Sequence, residues 1–300
     1  MSPAESPLVA RHRRYFRVAR MLARRIASLP ALIQVARLTL PVLHPARADR
    51  DDWRKAWQKA GTPADRLDAD WREFLRDRAV ATALLYRFAD FPQALALQVH
   101  DPARAMDALR ANGGLLLTYH HPFAYHVAAV IGNLGLTPHT LTLSPEESPL
   151  AVLYDDFARE WFEDSLRHFN GGRWHFVRST EANNLKPMAS AMRKKQVVYA
   201  ALDFDNFYAS ERQIATQVLG ASLAVPVALI ELALRIGVPI AVCWLDLLPR
   251  ATGMVLNLIP LSASTGIAAT PADIVAEYMS HLQERLIAAP SFWDNWGLLA

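Results

Sequence analysis

Three histidines within seven residues, His120, His121 and His126, form the densest concentration of chemistry in this 300-residue chain. They stand in Gly113-Gly114-Leu-Leu-Leu-Thr-Tyr119-His120-His121-Pro122-Phe-Ala-Tyr-His126, where an apolar run ends in polar groups and a proline. The run predicts a buried strand over 115–119, and the proline predicts the first residue of a helix with His121 at its cap. Such a corner lifts side chains out of a sheet edge into the crevice where open α/β sheets hold ligands. His126 lies five residues after His121, a little over one helical turn, so the two can face each other across one pocket mouth. An imidazole oriented by a second polar group is the usual build of a general base. That makes His121 the expected base and His126 its partner, with His120 pointing away in a structural role. The rival use is metal binding. The three lack the i, i+4 pair of a zinc-protease helix and no cysteine cluster accompanies them, so no metal is expected.

A second polar group, Asp203 and Asp205, closes a predicted strand over 197–203, at the carboxyl end where a site belongs. The competing reading is a turn with solvated carboxylates. These segments also carry a family likeness. Gly114 to His121 resembles the His-x4-Asp/Glu motif of glycerolipid acyltransferases, in the form found in bacterial lipid A (lauroyl/myristoyl) acyltransferases, with His126 where the family has its acid. Leu185-Lys186-Pro-Met188 through Val197-Val198 to Asp203-Phe-Asp205 is similar to the family's Leu-Lys-Gly-Met helix, Val-Val strand and Pro-Asp-x-Asp turn. Leu219-Gly220, Pro226, Leu232-Ala233, Gly237 and Pro239 are similar to its following helix and strand, and the likeness runs over about residues 105–290.

The resemblance implies a fold and an activity. The fold would be α/β, a mixed and largely parallel sheet flanked by helices. The activity would be an acyltransferase that moves an acyl group from an acyl carrier protein or CoA thioester to a hydroxyl or amine, with no other cofactor. His121 would be the general base and Asp203 and Asp205 would shape the acceptor pocket. Arg178 and Lys186 would reach an anionic headgroup or the phosphopantetheine phosphate. Ala182 stands where the family has an arginine, and the end Pro290-Ser-Phe-Trp-Asp-Asn-Trp-Gly lacks its basic tail, which argues against lipid A as acceptor. A neutral His126 can orient His121 but cannot stabilise an imidazolium. Three resolutions follow: an amine acceptor that needs a weaker base, help from Asp203 or Asp205, or a degenerate protein that binds acyl chains or a carrier without transfer. A metal-dependent hydrolase is a more distant alternative.

The elements that must position these groups follow from composition and pattern. With 52% hydrophobic residues the chain can bury a full core, and one α/β domain over 99–300 with a helical extension over 1–98 accounts for the length. The single cysteine, Cys243, lies in an apolar run and reads as a buried hydrophobe in a reducing compartment. No signal peptide is apparent, and the longest apolar stretch, 28–43, is broken by Pro30, Arg37 and Pro41, too short for the ~20 residues of a membrane span. A cytoplasmic protein is expected. Residues 11–25 carry seven arginines and no acid. A helix over 11–27 would put Tyr15, Val18, Leu22 and Ile26 on one face and Arg13, Arg17, Arg20 and Arg24 on the other. That pattern suits the anionic inner face of the cell membrane or an acidic carrier protein. It suits equally a solvated basic face with its stripe packed on the domain. Nucleic acid is not expected, because no base-stacking motif accompanies the arginines. The pattern reads as helical from 51 to about 98. Beyond it, helices over 101–112, 122–134, 148–168, 187–195, 222–236 and 271–288 alternate with strands over 115–119, 139–143, 174–178, 197–203, 239–246 and 253–259.

Overall fold

Gly113 and Gly114 determine how the central strand enters the sheet. A Cβ on Gly113 would lie 2.5 Å from the Lys195 carbonyl carbon, and one on Gly114 would lie 2.5 Å from the Pro239 oxygen. Both φ angles are positive, at 67° and 154°, so glycine alone lets the chain slip between its two neighbours. A computed structural model describes residues 6–88, 90, 95–147, 151–177, 185–203, 212–248, 253–261 and 269–296. Its strands are β1 (Ala96–His100), β2 (Gly114–Thr118), β3 (Pro138–Leu143), β4 (Arg173–Val177), β5 (Val197–Ala201), β6 (Gln213–Val218), β7 (Ala221–Pro226), β8 (Ile240–Leu247) and β9 (Gly253–Pro260). Its α-helices are α1 (Pro7–Arg25), α2 (Leu29–Thr39), α3 (Arg50–Lys59), α4 (Leu67–Leu85), α5 (Ala105–Asn112), α6 (Ala124–Asn133), α7 (Arg159–Leu166), α8 (Leu185–Arg193), α9 (Ala228–Ile236) and α10 (Pro271–Ala288).

Seven strands form one mixed sheet in the order β1-β9-β8-β2-β5-β3-β4. The block β8, β2, β5, β3 and β4 is parallel, while β9 runs antiparallel to β8 and β1 follows β9. The chain is therefore α/β, with a mostly parallel sheet covered by helices. The alternation along β2 shows how the two faces are filled. Leu116 enters a core with α1, α2, α4 and α6, whereas Leu115, Leu117 and Tyr119 enter a second core with α3, α8, α9 and α10. Helix α4 supplies both cores, Ala79, Val80 and Ala83 to the first and Trp71, Phe74 and Leu75 to the second.

Local signals explain most boundaries. Thr270 and Asp273 close a reciprocal capping box at the start of α10, with Pro271 in its first turn. Gly237, at φ 79°, ends α9 in the left-handed conformation. Other expectations need correction. The stretch 222–236 is not one helix: β6 and β7 pair as an antiparallel hairpin, and α9 begins only at Ala228. Leu219 and Gly220, at φ 50° and 82°, form its two-residue turn, and Leu223 and Val225 alternate inward with strand period. Residues 96–98, read as the end of the helical stretch, belong to edge strand β1, whose mostly exposed side chains give no apolar alternation to detect. Pro122 does not begin a helix either. Residues 121–123 make a turn, with Ala124 N–H bonded to the His121 carbonyl at 3.0 Å, and α6 starts after Phe123.

The N-terminal helix turns its apolar stripe inward. Tyr15, Ala19 and Ala23 are buried, and Val18, Leu22 and Ile26 pack against the first core. On the other side Arg13 pairs with Asp156 at 3.1 Å, and Arg20 and Arg24 pair with Glu160 at 2.6 and 3.0 Å. No helix among the described residues is long and apolar enough to cross a membrane.

Candidate active site

Strands β2 and β5 are neighbours in register, Thr118 opposite Ala201, so their continuations bring His120 and Asp203 side by side at the carboxyl edge. Tyr278 of α10 ties the two ends together: its hydroxyl donates to the Thr118 carbonyl at 2.5 Å and accepts from the Leu202 N–H at 3.3 Å. Its ring stacks on Tyr119 with centroids 4.7 Å apart, and the Tyr119 hydroxyl donates back to the Tyr278 carbonyl at 2.6 Å. Thr118 in turn donates to the Cys243 carbonyl of β8 at 2.8 Å. The groups just beyond these strand ends are held by rigid elements on three sides.

Asp203 is fully buried, and N–H groups satisfy it. The His120 backbone N–H reaches Oδ2 at 2.8 Å, Trp293 Nε1–H reaches the same oxygen at 2.5 Å, and His120 Nδ1 lies 2.8 Å from Oδ1. Asn295 Nδ2 donates to its carbonyl at 3.2 Å, and the Asp294 N–H donates to the His120 carbonyl at 2.8 Å. An ionised carboxylate accepts only, so Nδ1 of His120 carries the proton and its lone pair resides on Nε2. Burial alone would lower the His120 pKa; the charge and hydrogen bond of Asp203, with help from Asp294, outweigh it and raise the value above that of ordinary imidazole. The side chain keeps 38% of its surface exposed, so a substrate can reach it.

His121 lives in a different environment. It is buried, its ring lies parallel to Phe292 with centroids 5.2 Å apart, and its Nδ1 accepts the Phe123 N–H at 3.3 Å. Burial first, then the fields of His126, Arg285, Arg78 and His120, hold its pKa well below the usual value. His126 is fully buried in α6 and packs against Phe88 and Phe123. Burial lowers its pKa to about 3, against a hydrogen bond to the backbone of Ala81. It thus neighbours the backbone of α4 while lying close enough to His121 for its field to lower that ring's pKa. His120, expected to point away, shares a cavity with His121. Placing the carboxylate on His120 changes which ring has the build of a base.

Two cavities meet here. The smaller, about 270 Å³, is lined by Thr118, His120, His121, Tyr125, Thr140, Tyr199 and Asp294 among others. The larger, about 530 Å³, is mostly apolar and aromatic, with Tyr15, Phe16, Trp53, Phe157, Trp161 and Phe162 in its wall. His121, Tyr125, Thr142, Leu143 and Asp294 line both. Both are mainly apolar, and the smaller carries the two histidines, so together they suit a ligand with a reactive head and a long apolar body.

Arg78 holds the far side. Buried in α4, it donates to the carbonyls of Phe74, Ser291 and Trp293 at 3.0 Å each and pairs with Asp294. It thereby fastens the segment that carries Trp293 to Asp203. Neither Arg78 nor Trp293 was singled out from the sequence. Arg78 had a legible signal, a charge on the stripe Trp71, Phe74, Leu75 at i, i+3, i+4, i+7. Lys186 is exposed in the first turn of α8 and lines neither cavity among the described residues. Arg178 and Asp205 lie outside the described residues. Among the described residues no three His, Cys, Asp or Glu side chains converge as a metal-binding group. In comparisons with family profiles and with curated proteins, nothing matches this chain.

Proposed function

We propose that the protein is an acyltransferase that uses an acyl carrier protein or CoA thioester as donor and a hydroxyl or amine as acceptor. The observation that carries this reading is the His120–Asp203 pair at 2.8 Å, whose imidazole lines a chamber of about 270 Å³ that shares five lining residues with a mostly apolar cavity of about 530 Å³. His120, rather than His121, takes the role of base. Its Nε2 removes the proton of the acceptor as the acceptor oxygen or nitrogen attacks the thioester carbonyl. Asp203 fixes the tautomer that makes this possible and stabilises the imidazolium that results. When the tetrahedral intermediate collapses, the C–S bond breaks and the proton on His120 passes to the departing thiolate. The acyl chain would lie in the apolar cavity, where each buried methylene contributes about 0.8 kcal/mol. Arg13, Arg20 and Arg24 of α1 pair with Asp156 and Glu160, and the exposed Arg11, Arg14, Arg17 and Arg25 are the charges offered to an acidic carrier or an anionic surface.

The test is release of free thiol from dodecanoyl-CoA and from a dodecanoyl carrier protein, with a panel of long-chain amines and alcohols as acceptors. Products are identified by mass. Wild type is expected to turn over at least one donor, and His120→Ala to lose about 10²–10⁴-fold in kcat while remaining folded. A folded His120→Ala protein with wild-type turnover, or a wild type with no turnover of either thioester, would sink the reading.

A further inference from the structure

Adjacent histidines in this site have opposite surroundings, and the mechanism above uses only one of them. The other has an unspent donor. Nδ1 of His121 accepts the Phe123 N–H, so in a neutral ring the proton must sit on Nε2. That Nε2 is buried and has no hydrogen-bond partner among the described residues. A buried donor left unpaired costs free energy in the resting protein, and such groups in native structures call for an explanation. The ring lines both cavities, at the place where the chamber that holds His120 meets the larger one. A thioester lying with its chain in the larger cavity and its carbonyl within reach of His120 has that carbonyl at this junction.

We infer that His121 is the oxyanion donor of the reaction, its neutral Nε2–H taking up the carbonyl oxygen as negative charge develops there. This deepens the acyl-transfer reading and rests on it. The electron balance is simple. The acceptor forms its bond to the carbonyl carbon, the C=O pair moves onto oxygen beside His121 Nε2–H, and the pair returns when the C–S bond breaks. His121 neither gains nor loses a proton. Burial suits that role, since a neutral imidazole donates without carrying a competing charge, and a donor fixed in place needs no reorganisation during the reaction. The pair would then divide the work by environment. His120, beside a carboxylate, moves protons, and His121, among Phe292 and Phe123, polarises the carbonyl.

Glutamine separates a donor from a base, because its amide N–H reaches where Nε2–H does yet takes up no proton. His121→Gln is expected to keep kcat for thiol release from dodecanoyl-CoA within about tenfold of wild type, whereas His121→Ala and His121→Phe lose about 10²–10³-fold, mainly in kcat. The acid limb of the pH profile should stay where it is in His121→Gln. Nitrogen-15 spectra of the unmodified protein give a readout that needs neither a variant nor turnover: His121 should keep the Nε2–H neutral tautomer through the ordinary imidazole range, and His120 should titrate on its high side. A folded His121→Gln protein as inactive as His121→Ala, or a His121 that titrates or carries its proton on Nδ1, overturns the inference and leaves acyl transfer standing. A wild type silent towards both thioesters overturns the reaction and this inference with it.

Discussion

Asp203→Asn is the perturbation for which the structure gives the most definite outcome. Two N–H groups converge on Oδ2, from the His120 backbone and Trp293, and among the described residues only the His120 ring points at Oδ1. An amide has one oxygen, and at this position it settles where two donors meet it. Its NH2 then faces His120 Nδ1, which must become an acceptor. The ring proton moves to Nε2, and the lone pair that would take the acceptor's proton is gone. A comparable tautomer reversal in the serine protease triad lowers turnover by ~10⁴-fold, or about 5 kcal/mol of barrier. The lost charge is the smaller effect. Unit charges 4 Å apart interact by about 4 kcal/mol at an effective dielectric of 20. Since 38% of the His120 side chain is exposed, screening brings that nearer about 2 kcal/mol, roughly 30-fold. The two losses overlap, so a fall in kcat of about 10³–10⁴-fold is expected. Stability should change little, because the amide oxygen still serves the His120 and Trp293 N–H groups. Asp203 raises the His120 pKa, so in the variant the acid limb of any residual activity should move to lower pH. Steady-state thiol release against pH, with thermal unfolding as the control, measures all three quantities. A folded Asp203→Asn enzyme that keeps more than about a tenth of wild-type kcat would refute the assignment of the pair.

Other outcomes follow from the same contacts. Trp293→Phe removes one N–H from a fully buried carboxylate. It should cost about 1.5–3 kcal/mol in urea unfolding and lower kcat more than it raises KM; an unchanged kcat would show that Asp203 orients His120 without it. Arg78→Met strands three carbonyls and Asp294. A loss of about 3–5 kcal/mol is expected, and a variant as stable as wild type would mean that the C-terminal segment is held by other contacts. His44 and His126, held neutral at about 3 by burial, exclude a proton that the unfolded chain binds near 6.5. Their contribution is present above about pH 6.5 and fades on acidification, each by up to about 1.4 kcal/mol per pH unit. His126→Met should therefore flatten the loss of stability between about pH 6.5 and 4, and an unaltered slope in urea titrations would contradict it. His120 works with the opposite sign, its contribution present below about pH 6.5 and lost as pH rises through its raised folded value. His126→Glu, which restores the acid of the resembled motif, places a carboxylate against Phe88 and Phe123. It should destabilise the fold by several kcal/mol, and a gain in turnover at unchanged stability would show that His126 does orient His121.

The sequence alone determined what depends on neighbours along the chain. The apolar run at 115–117 makes β2, the Thr270-Pro271 signal starts α10, and both put polar residues at a strand end where a site can form. The alternation of strands and helices was enough to define an α/β sheet, because periodicity is a local property. It failed at 222–226 and 96–98, where a hairpin and an edge strand exist only through partners elsewhere. The choice between His120 and His121 was not legible at all. The two differ by one position in the chain, and spacing favoured His121 because His126 follows it by one helical turn. Tertiary structure sets β5 beside β2, so that a carboxylate 83 residues away meets His120. A tryptophan 90 residues further on then fixes that carboxylate from behind. The field and hydrogen bonds around each ring come from strand order and the C-terminal segment rather than from the motif.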